Sequence, residues 1–584
     1  MRRIPALAAW LFAGQFVVLD LLLRGARAYA HEPRLIATAI GSVALGGLLV
    51  SLATRRMARA LLALTAATVL VAQALCFRYY HTPIDVQVAA AALHSWGDVR
   101  PVLGEMLPAA LASIAGVAAC GGALLGVAAR RITPAPRHAP LAIAAALGIT
   151  CGVPLRNATP ELRLAGALAL VSAPREAAAS AAVTVPPLVS SKAEPPSVLF
   201  VLTESVRASD YGPETAPEVA ALLPQRINLT QLRAVSSYTA VSLSALLTGR
   251  TQVGARDELL RAPNLFDFAR AVRAQDERLR VAYWSAHSET VFERRDIASA
   301  VDAFVTVETL LGRTACDDEP DSGFDRAVAA HFVGHIGDLP SPSLVFLHLF
   351  GTHATYFFDE ERAPFRPWTR EVTWSSMEGL HNAYKNAILE QDRSLASCIR
   401  AFVDHVGARP WVVVFTSDHG EAFGEHGAIH HGQNLYDEQI HVPGWIAFGN
   451  GALAPAEEAR LREAAGAPST HLDLLPTVLD VLGVFDGLPF APYRGRLDGR
   501  SITRSGGVGA PIPVTNCTGM FPCPLDTWGM LGDGHALHAQ PWDSAWRCFD
   551  LARNVELPLD GACARLREAS HAYFPTLPNR SPNL

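Results

Sequence analysis

What this chain is short of is charge. Asp, Glu, Lys and Arg make up only 18% of its 584 residues, against 50% hydrophobic ones, and the formal net charge is -6. Beyond the first quarter no dense block of Lys and Arg occurs. The basic surface that a nucleic acid requires is therefore missing, and nucleic acid is excluded as a partner. Cysteine is sparse too, with nine residues and no CxxC spacing, which excludes a thiolate zinc cluster.

The shortage of charge is concentrated before about residue 157. Five apolar runs stand there, at 7–23, 36–53, 60–77, 106–129 and 141–153, near the roughly 20 residues that cross a bilayer. Arg2 and Arg3, then Arg55, Arg56 and Arg59, then Arg130, Arg131 and Arg137 flank alternate sides of these runs. Positive residues mark the cytoplasmic side, so an odd number of spans delivers everything after Val153 to the outer face. A cleaved signal peptide is the rival description of the first run, because small residues follow it at Ala26 to Ala30. Cys76, Cys120 and Cys151 lie in or beside the runs. Cys316, Cys398, Cys517, Cys523, Cys548 and Cys563 lie outside, an even set able to form up to three disulfides, with free thiols as the alternative.

Residues 78–105 read as an outer loop, and 160–182 as an interfacial helix leading to a linker that carries Pro186, Pro187, Pro195 and Pro196. Three apolar, strand-like runs follow, at 197–202, 343–350 and from Val412 to about Ser417, and each ends in a potential ligand. The first ends at Glu204, the second at Gly351-Thr352-His353, and the third at Asp418-His419, with His430 and His431 returning on a Gly-rich loop. Ligands gather outside the carboxyl ends of parallel strands, so one sheet would bring these side chains to a common edge. Taken singly, each has an ordinary description as a cap neighbour or solvated loop. The segment 236–250, SSYTAVSLSALLTGR, reads as a short apolar helix with Thr239 at its start and Gly249 as C-cap. At that end unpaired N–H groups favour an attacking alkoxide and the phosphate oxygens it meets.

The run from Thr239 to Gly249 resembles the nucleophile motif of the sulfatases, Cys/Ser-x-Pro-x-Arg-x-x-Leu-Leu-Thr-Gly. Thr239 occupies the nucleophile position, Val241 replaces the proline and Leu243 the arginine. A threonine there resembles instead the membrane-bound phosphoethanolamine transferases and lipoteichoic acid synthases of the same superfamily. The order of helical spans, linker helix and α/β domain is similar as well. The lipid A transferases carry Pro-Cys-Met where this chain has Ser244-Ala245-Leu246.

The resemblance implies Thr239 as catalytic nucleophile, a metal site of Glu204, Thr239, Asp418 and His419, and His353 and His431 as ligands of the substrate phosphate or a second zinc. His430 stands as the alternative to His431 if the loop register differs by one. Zn2+ is the implied cofactor, with Mn2+ or Mg2+ as alternatives. The implied activity is transfer of phosphoethanolamine from a membrane phospholipid to an extracytoplasmic lipid-linked sugar or glycan through a phospho-threonine. Phosphoglycerol transfer and sulfatase-like ester hydrolysis are the alternatives.

The architecture expected is α/β: a helical transmembrane domain (1–157), an interfacial helix and linker (158–196), a sulfatase-like α/β/α sandwich on a mostly parallel sheet (197–483), and a C-terminal subdomain (484–584). A monomer in the bacterial inner membrane with its catalytic domain in the periplasm completes the expectation. His348 reads as a core residue, and Ser285 and His287 as structural. Tyr384, Asn386 and Asp392 read as packing residues of a helix, and Arg207 as either a phosphate contact or a solvated face.

Overall fold

The computed structural model describes residues 4–24, 33–80, 84, 89, 96–129, 158–171, 183–251, 262–287, 297–312, 323–354, 356–432, 434–504, 510–516, 527–539 and 546–573. The chain forms two compact units, residues 1–177 and 178–583.

In the first unit the helices are α1 (Ile4–Ala13), α2 (Gln15–Arg24), α3 (Pro33–Leu52), α4 (Arg56–Tyr80), α5 (Trp96–Ala128) and α6 (Pro160–Val171). Three stretches, Leu35–Leu52, Arg56–Arg78 and Met106–Ala128, are long and apolar enough to cross a membrane, and α1 with α2 makes a fourth that is bent by 50°. Their contact surface is built from small side chains, Ala8, Ala63, Ala66 and Ala128 around Phe12 and Leu125. Small residues let apolar helices approach closely where lipid offers no competing hydrophobic force. Gly46 is one such point, since a Cβ there would meet the Ala13 carbonyl oxygen at 2.7 Å. Two polar bonds dock α6 on this bundle: Gln73 Nε2 donates to Pro160 O (2.8 Å) and Ser42 Oγ to Glu161 Oε1 (2.5 Å). The expected outer loop at 78–105 is shorter than its sequence suggests, because α5 already begins at Trp96. The fifth expected span, 141–153, and the end of the expected interfacial helix, 172–182, lie outside the described residues.

The second unit is organised on a seven-stranded sheet. In chain order its strands are β1 (Ser197–Thr203), β2 (Ile227–Asn228), β3 (Arg280–Ser285), β4 (Ala303–Thr306), β5 (Ser343–Leu349), β6 (Trp411–Ser417) and β7 (Gly444–Gly449). In space they run β2-β7-β6-β1-β5-β3-β4, and the five from β6 to β4 are parallel while β7 and β2 close one edge antiparallel. Both faces are covered, which explains why β1, β5 and β6 are continuous apolar runs rather than alternating ones. Val198, Phe200, Leu344, Phe346, Val412 and Val414 enter one core. Leu199, Val201, Val345, Leu347, Val413 and Phe415 enter the other. The register pairs Phe200 with Phe346, whose rings stack at 5.3 Å, and sets Thr203 opposite both Leu349 and Ser417. Three strands thus end level, and the residues just beyond them emerge together.

Helix α7 (Thr239–Thr248) ends on Gly249 at φ 63, a left-handed C-cap that favours glycine. The long helix α8 (Met377–Val406) buries Tyr384, Asn386 and Asp392. A second antiparallel sheet follows, of β8 (Ile512–Thr515), β9 (Trp528–Gly532), β10 (His535–Ala539), β11 (Arg547–Asp550) and β12 (Val555–Leu557), covered by α9 (Gly561–Tyr573). A disulfide, Cys548–Cys563, ties β11 to α9. Cys398 corrects the expectation of an even disulfide set: it is a free thiol, fully buried in α8. Cys316, Cys517 and Cys523 lie outside the described residues.

Candidate active site

At the level edge, β1 releases Glu204 and β6 releases Asp418 and His419, all three fully buried. Helix α7 enters from the side, and its first residue meets them. Thr239 Oγ1 donates to Glu204 Oε1 at 2.9 Å and lies 3.0 Å from His419 Nε2. Asp418 Oδ2 is 3.1 Å from His419 Nε2, and Asp418 Oδ1 accepts from the backbone N–H groups of Ser205 (2.8 Å) and His419 (2.7 Å). The side chain of Tyr238, the N-cap residue of α7, makes no capping bond to the helix. The N–H groups of Val241 and Ser242 donate to Tyr238 O, and the helix start before them is of the kind that favours an anion. Ser242, one turn in, donates to Asp418 O (2.5 Å) and approaches His471 Nδ1 (3.0 Å), which locks the helix to the end of β6.

His431 joins this group. Ligand atoms of Glu204, His419 and His431 all lie within 4.8 Å of one another. His430 faces the other way: its Nδ1 is 3.2 Å from Glu421 Oε1, and its backbone adopts φ 65. Glu421 Oε2 is likewise 3.2 Å from His431 Nδ1, so one buried carboxylate orients both imidazoles. His353 packs edge-on against His431 with ring centroids 5.3 Å apart, its Nδ1 2.6 Å from Ala354 O. The turn that carries His353 is pinned by Asp325, which accepts from the N–H groups of Phe350 (2.7 Å) and Gly351 (2.9 Å).

Three residues that the sequence left as structural or ambiguous acquire definite places. His287 and His348 each put Nε2 at 3.8 Å from Glu204 Oε2, too long for hydrogen bonds but close enough to act through charge. Arg207 is not a solvated face: it is buried and paired with Asp210 and Glu425. Ser205 Oγ lies 3.4 Å from His431 Nδ1. Glu421 stands two residues beyond His419, but nothing local in the sequence announces its two partners.

The electrostatics of the site suit a bound cation. Burial would push the Glu204 carboxyl up, but His348, His419 and His287 around it hold it well below the usual carboxylate range. Asp418 goes the opposite way, raised by burial and by the Glu204 carboxylate beside it. Burial opposes charge on His419, yet Asp418 and Glu204 push it up to about 9. Two such carboxylates cannot both ionise in a dry site on one imidazolium alone. Glu204 Oε2 and Asp418 Oδ2 are also buried without a hydrogen-bond partner. Two carboxylates, two imidazoles and a hydroxyl suit Zn2+ or Mn2+, and the residues present fit such an ion.

Residues 196–484 match the Sulfatase family model. The chain thus carries a domain of the sulfatase superfamily, preceded in sequence by apolar helices of membrane-spanning length. Within that superfamily it is 26% identical over 318 residues to phosphatidylethanolamine transferase Mcr-2 of Escherichia coli, covering 51% of this chain and 55% of that protein. It is 32% identical over 151 residues to Mcr-1 of the same organism, covering 24% of this chain and 26% of that one. The matches therefore span about half or less of these curated relatives. The integral membrane lipooligosaccharide phosphoethanolamine transferase A of Neisseria meningitidis shares the fold, with a TM-score of 0.54 and 16% identity over 84% of this chain and 96% of that one.

Proposed function

We propose that the chain transfers a phospho-alcohol head group, phosphoethanolamine, from a membrane phospholipid to an extracytoplasmic lipid-linked sugar or glycan, through a phospho-threonine at Thr239. The observation that carries this reading is the place of the Thr239 hydroxyl. It stands at a helix N-terminus, 2.9 Å from a buried carboxylate and 3.0 Å from a buried imidazole. The names of the relatives supply the head group. The membrane helices supply access to a lipid donor, and the arginine pattern puts the domain on the outer, periplasmic side.

In the first half-reaction Thr239 Oγ1 attacks phosphorus and its proton passes to Glu204 Oε1, to which it already donates. The bond from phosphorus to the diacylglycerol oxygen breaks, and that oxygen takes a proton. His353 is assigned as its donor through Nε2, since Nδ1 is engaged by Ala354 O. The N–H groups at the start of α7 receive the phosphoryl oxygens as charge develops on them. In the second half-reaction an acceptor hydroxyl gives its proton to His353 and attacks phosphorus, and Thr239 Oγ1 departs with a proton returned by Glu204. Glu204, Asp418, His419 and His431 would hold the metal, with Thr239 facing it. Bound there, a divalent cation supplies Lewis acidity that lowers the hydroxyl's pKa and neutralises the phosphoryl charge.

The test uses the full chain in detergent micelles with phosphatidylethanolamine. Wild type is expected to release diacylglycerol and to gain one phosphoethanolamine on the peptide containing Thr239, seen by mass spectrometry. Thr239→Ala is expected to do neither. Head-group transfer by Thr239→Ala at the native rate would overturn the assignment.

A further inference from the structure

The loop that leads into Thr239 at the start of α7 is held from far along the chain. Asn516, at the end of β8, is fully buried and uses every hydrogen-bonding position of its amide. Its Oδ1 accepts from Ser236 Oγ (2.8 Å) and from the backbone N–H of Ser237 (2.9 Å). Its Nδ2 donates to Ser237 Oγ (2.9 Å) and to Gly432 O (3.0 Å). Two backbone partners, an N–H on one side and a C=O on the other, admit only this orientation of the amide. Ser237 Oγ in turn donates to Asn434 O (2.6 Å), and Thr515 N–H donates to Val235 O (3.1 Å).

One amide thus joins the residues two and three places before Thr239 to the residue directly after His431. We infer that Asn516 is a positioning residue of the transfer reaction: the C-terminal sheet uses it to set the distance between the nucleophile and the His431 loop. The inference rests on the function proposed above, since it presumes Thr239 as nucleophile. None of the four bonds engages a ligand atom, so substitution should slow phosphorylation of Thr239 while the ligand set stays complete and the metal stays bound. A misplacement of about 1 Å at a reacting atom costs up to roughly 100-fold in rate.

The experiment is a rapid-quench measurement of phospho-Thr239 formation by the full chain with phosphatidylethanolamine in detergent micelles, alongside zinc content and thermal unfolding. For Asn516→Ala the rate constant is expected to fall about 10- to 100-fold. The fraction of chains that become modified and the zinc per chain should stay as in wild type. Should that variant fail to fold, Asn516→Asp keeps the acceptor for Ser236 Oγ and Ser237 N–H but loses the donors to Gly432 O and Ser237 Oγ, and the same slowing is expected. Ser237→Ala combined with Asn516→Ala should add little to the single change, because both break the same bridge. A merely structural Asn516 would lower the modified fraction and leave the rate constant of the remainder unchanged. That outcome, or an unaltered rate, overturns the inference while the proposed function stands. Absence of any adduct on wild-type Thr239 overturns both.

Discussion

Metal affinity should rise steeply with pH, and the slope follows from the charges at the site. Without a cation, His419 is pushed up to about 9 by Asp418 and Glu204 against the cost of its burial. To coordinate through Nε2 it must be neutral, so at pH 7 a cation displaces a proton held about two pH units below its release point. That costs about 2.7 kcal/mol, or about 100-fold in affinity relative to pH above 9. The sign is fixed: affinity climbs about tenfold for each unit of pH from 6 to 8 through His419 alone. Asp418, raised by burial and by Glu204, adds a second proton in whatever part of that window it remains protonated. His431, lowered to about 4 by burial and by His419, is already neutral there, and Glu421, held at about 2 against its burial by His431 and His430, is already charged, so neither contributes. The assay is competition between the full chain and a chelator for Zn2+ at pH 6, 7 and 8, with proton release counted by calorimetry in two buffers. Between one and two protons should leave per ion bound. An affinity that does not change over this range refutes the electrostatic reading of the site.

Other consequences are more local. Thr239→Val, nearly isosteric, should lose head-group transfer by at least about 10,000-fold, the scale seen when a nucleophile is removed, while still binding zinc; a zinc-free variant would show that the hydroxyl serves the fold of the site rather than the chemistry. Gly420→Ala should be strongly destabilising and inactive, because its Cβ would lie 2.3 Å from Glu438 O, a backbone atom that cannot move without dragging the loop after His419; a melting temperature equal to wild type contradicts this. Phe346→Ala, which empties the contact between the two central strands, should cost about 3 to 5 kcal/mol in denaturant unfolding. Replacing Cys548 and Cys563 by Ser opens a link between residues 15 apart, worth about 3 kcal/mol by loop entropy, read as a lower unfolding midpoint with the cores of the seven-stranded sheet intact.

The parts of this molecule that were legible in the sequence share one property, that neighbours along the chain carry the signal. A strand buried on both faces must be apolar at every position, so β1, β5 and β6 declared themselves, and their polar ends marked one edge of one sheet. Membrane helices are legible for a similar reason, although the 50° break at Gly14 in the first run and the early start of α5 at Trp96 are not, since both depend on packing. The preference for His431 over His430 came from resemblance and not from local pattern, because the choice turns on a single φ 65 residue that aims successive imidazoles to opposite sides of Glu421. His348 looked like a core residue and is one, yet its burial beside Glu204 Oε2 gives it an electrostatic role that hydrophobic patterning cannot express. The hydrogen bond from Ser236 to Asn516 spans 280 positions, and that from Ser242 to His471 spans 229. Groups that perform chemistry must be of a few reactive types and follow strand ends or helix starts. Groups that hold them need only reach, so any amide or hydroxyl at the right point in space will serve, and only the folded chain says which one does.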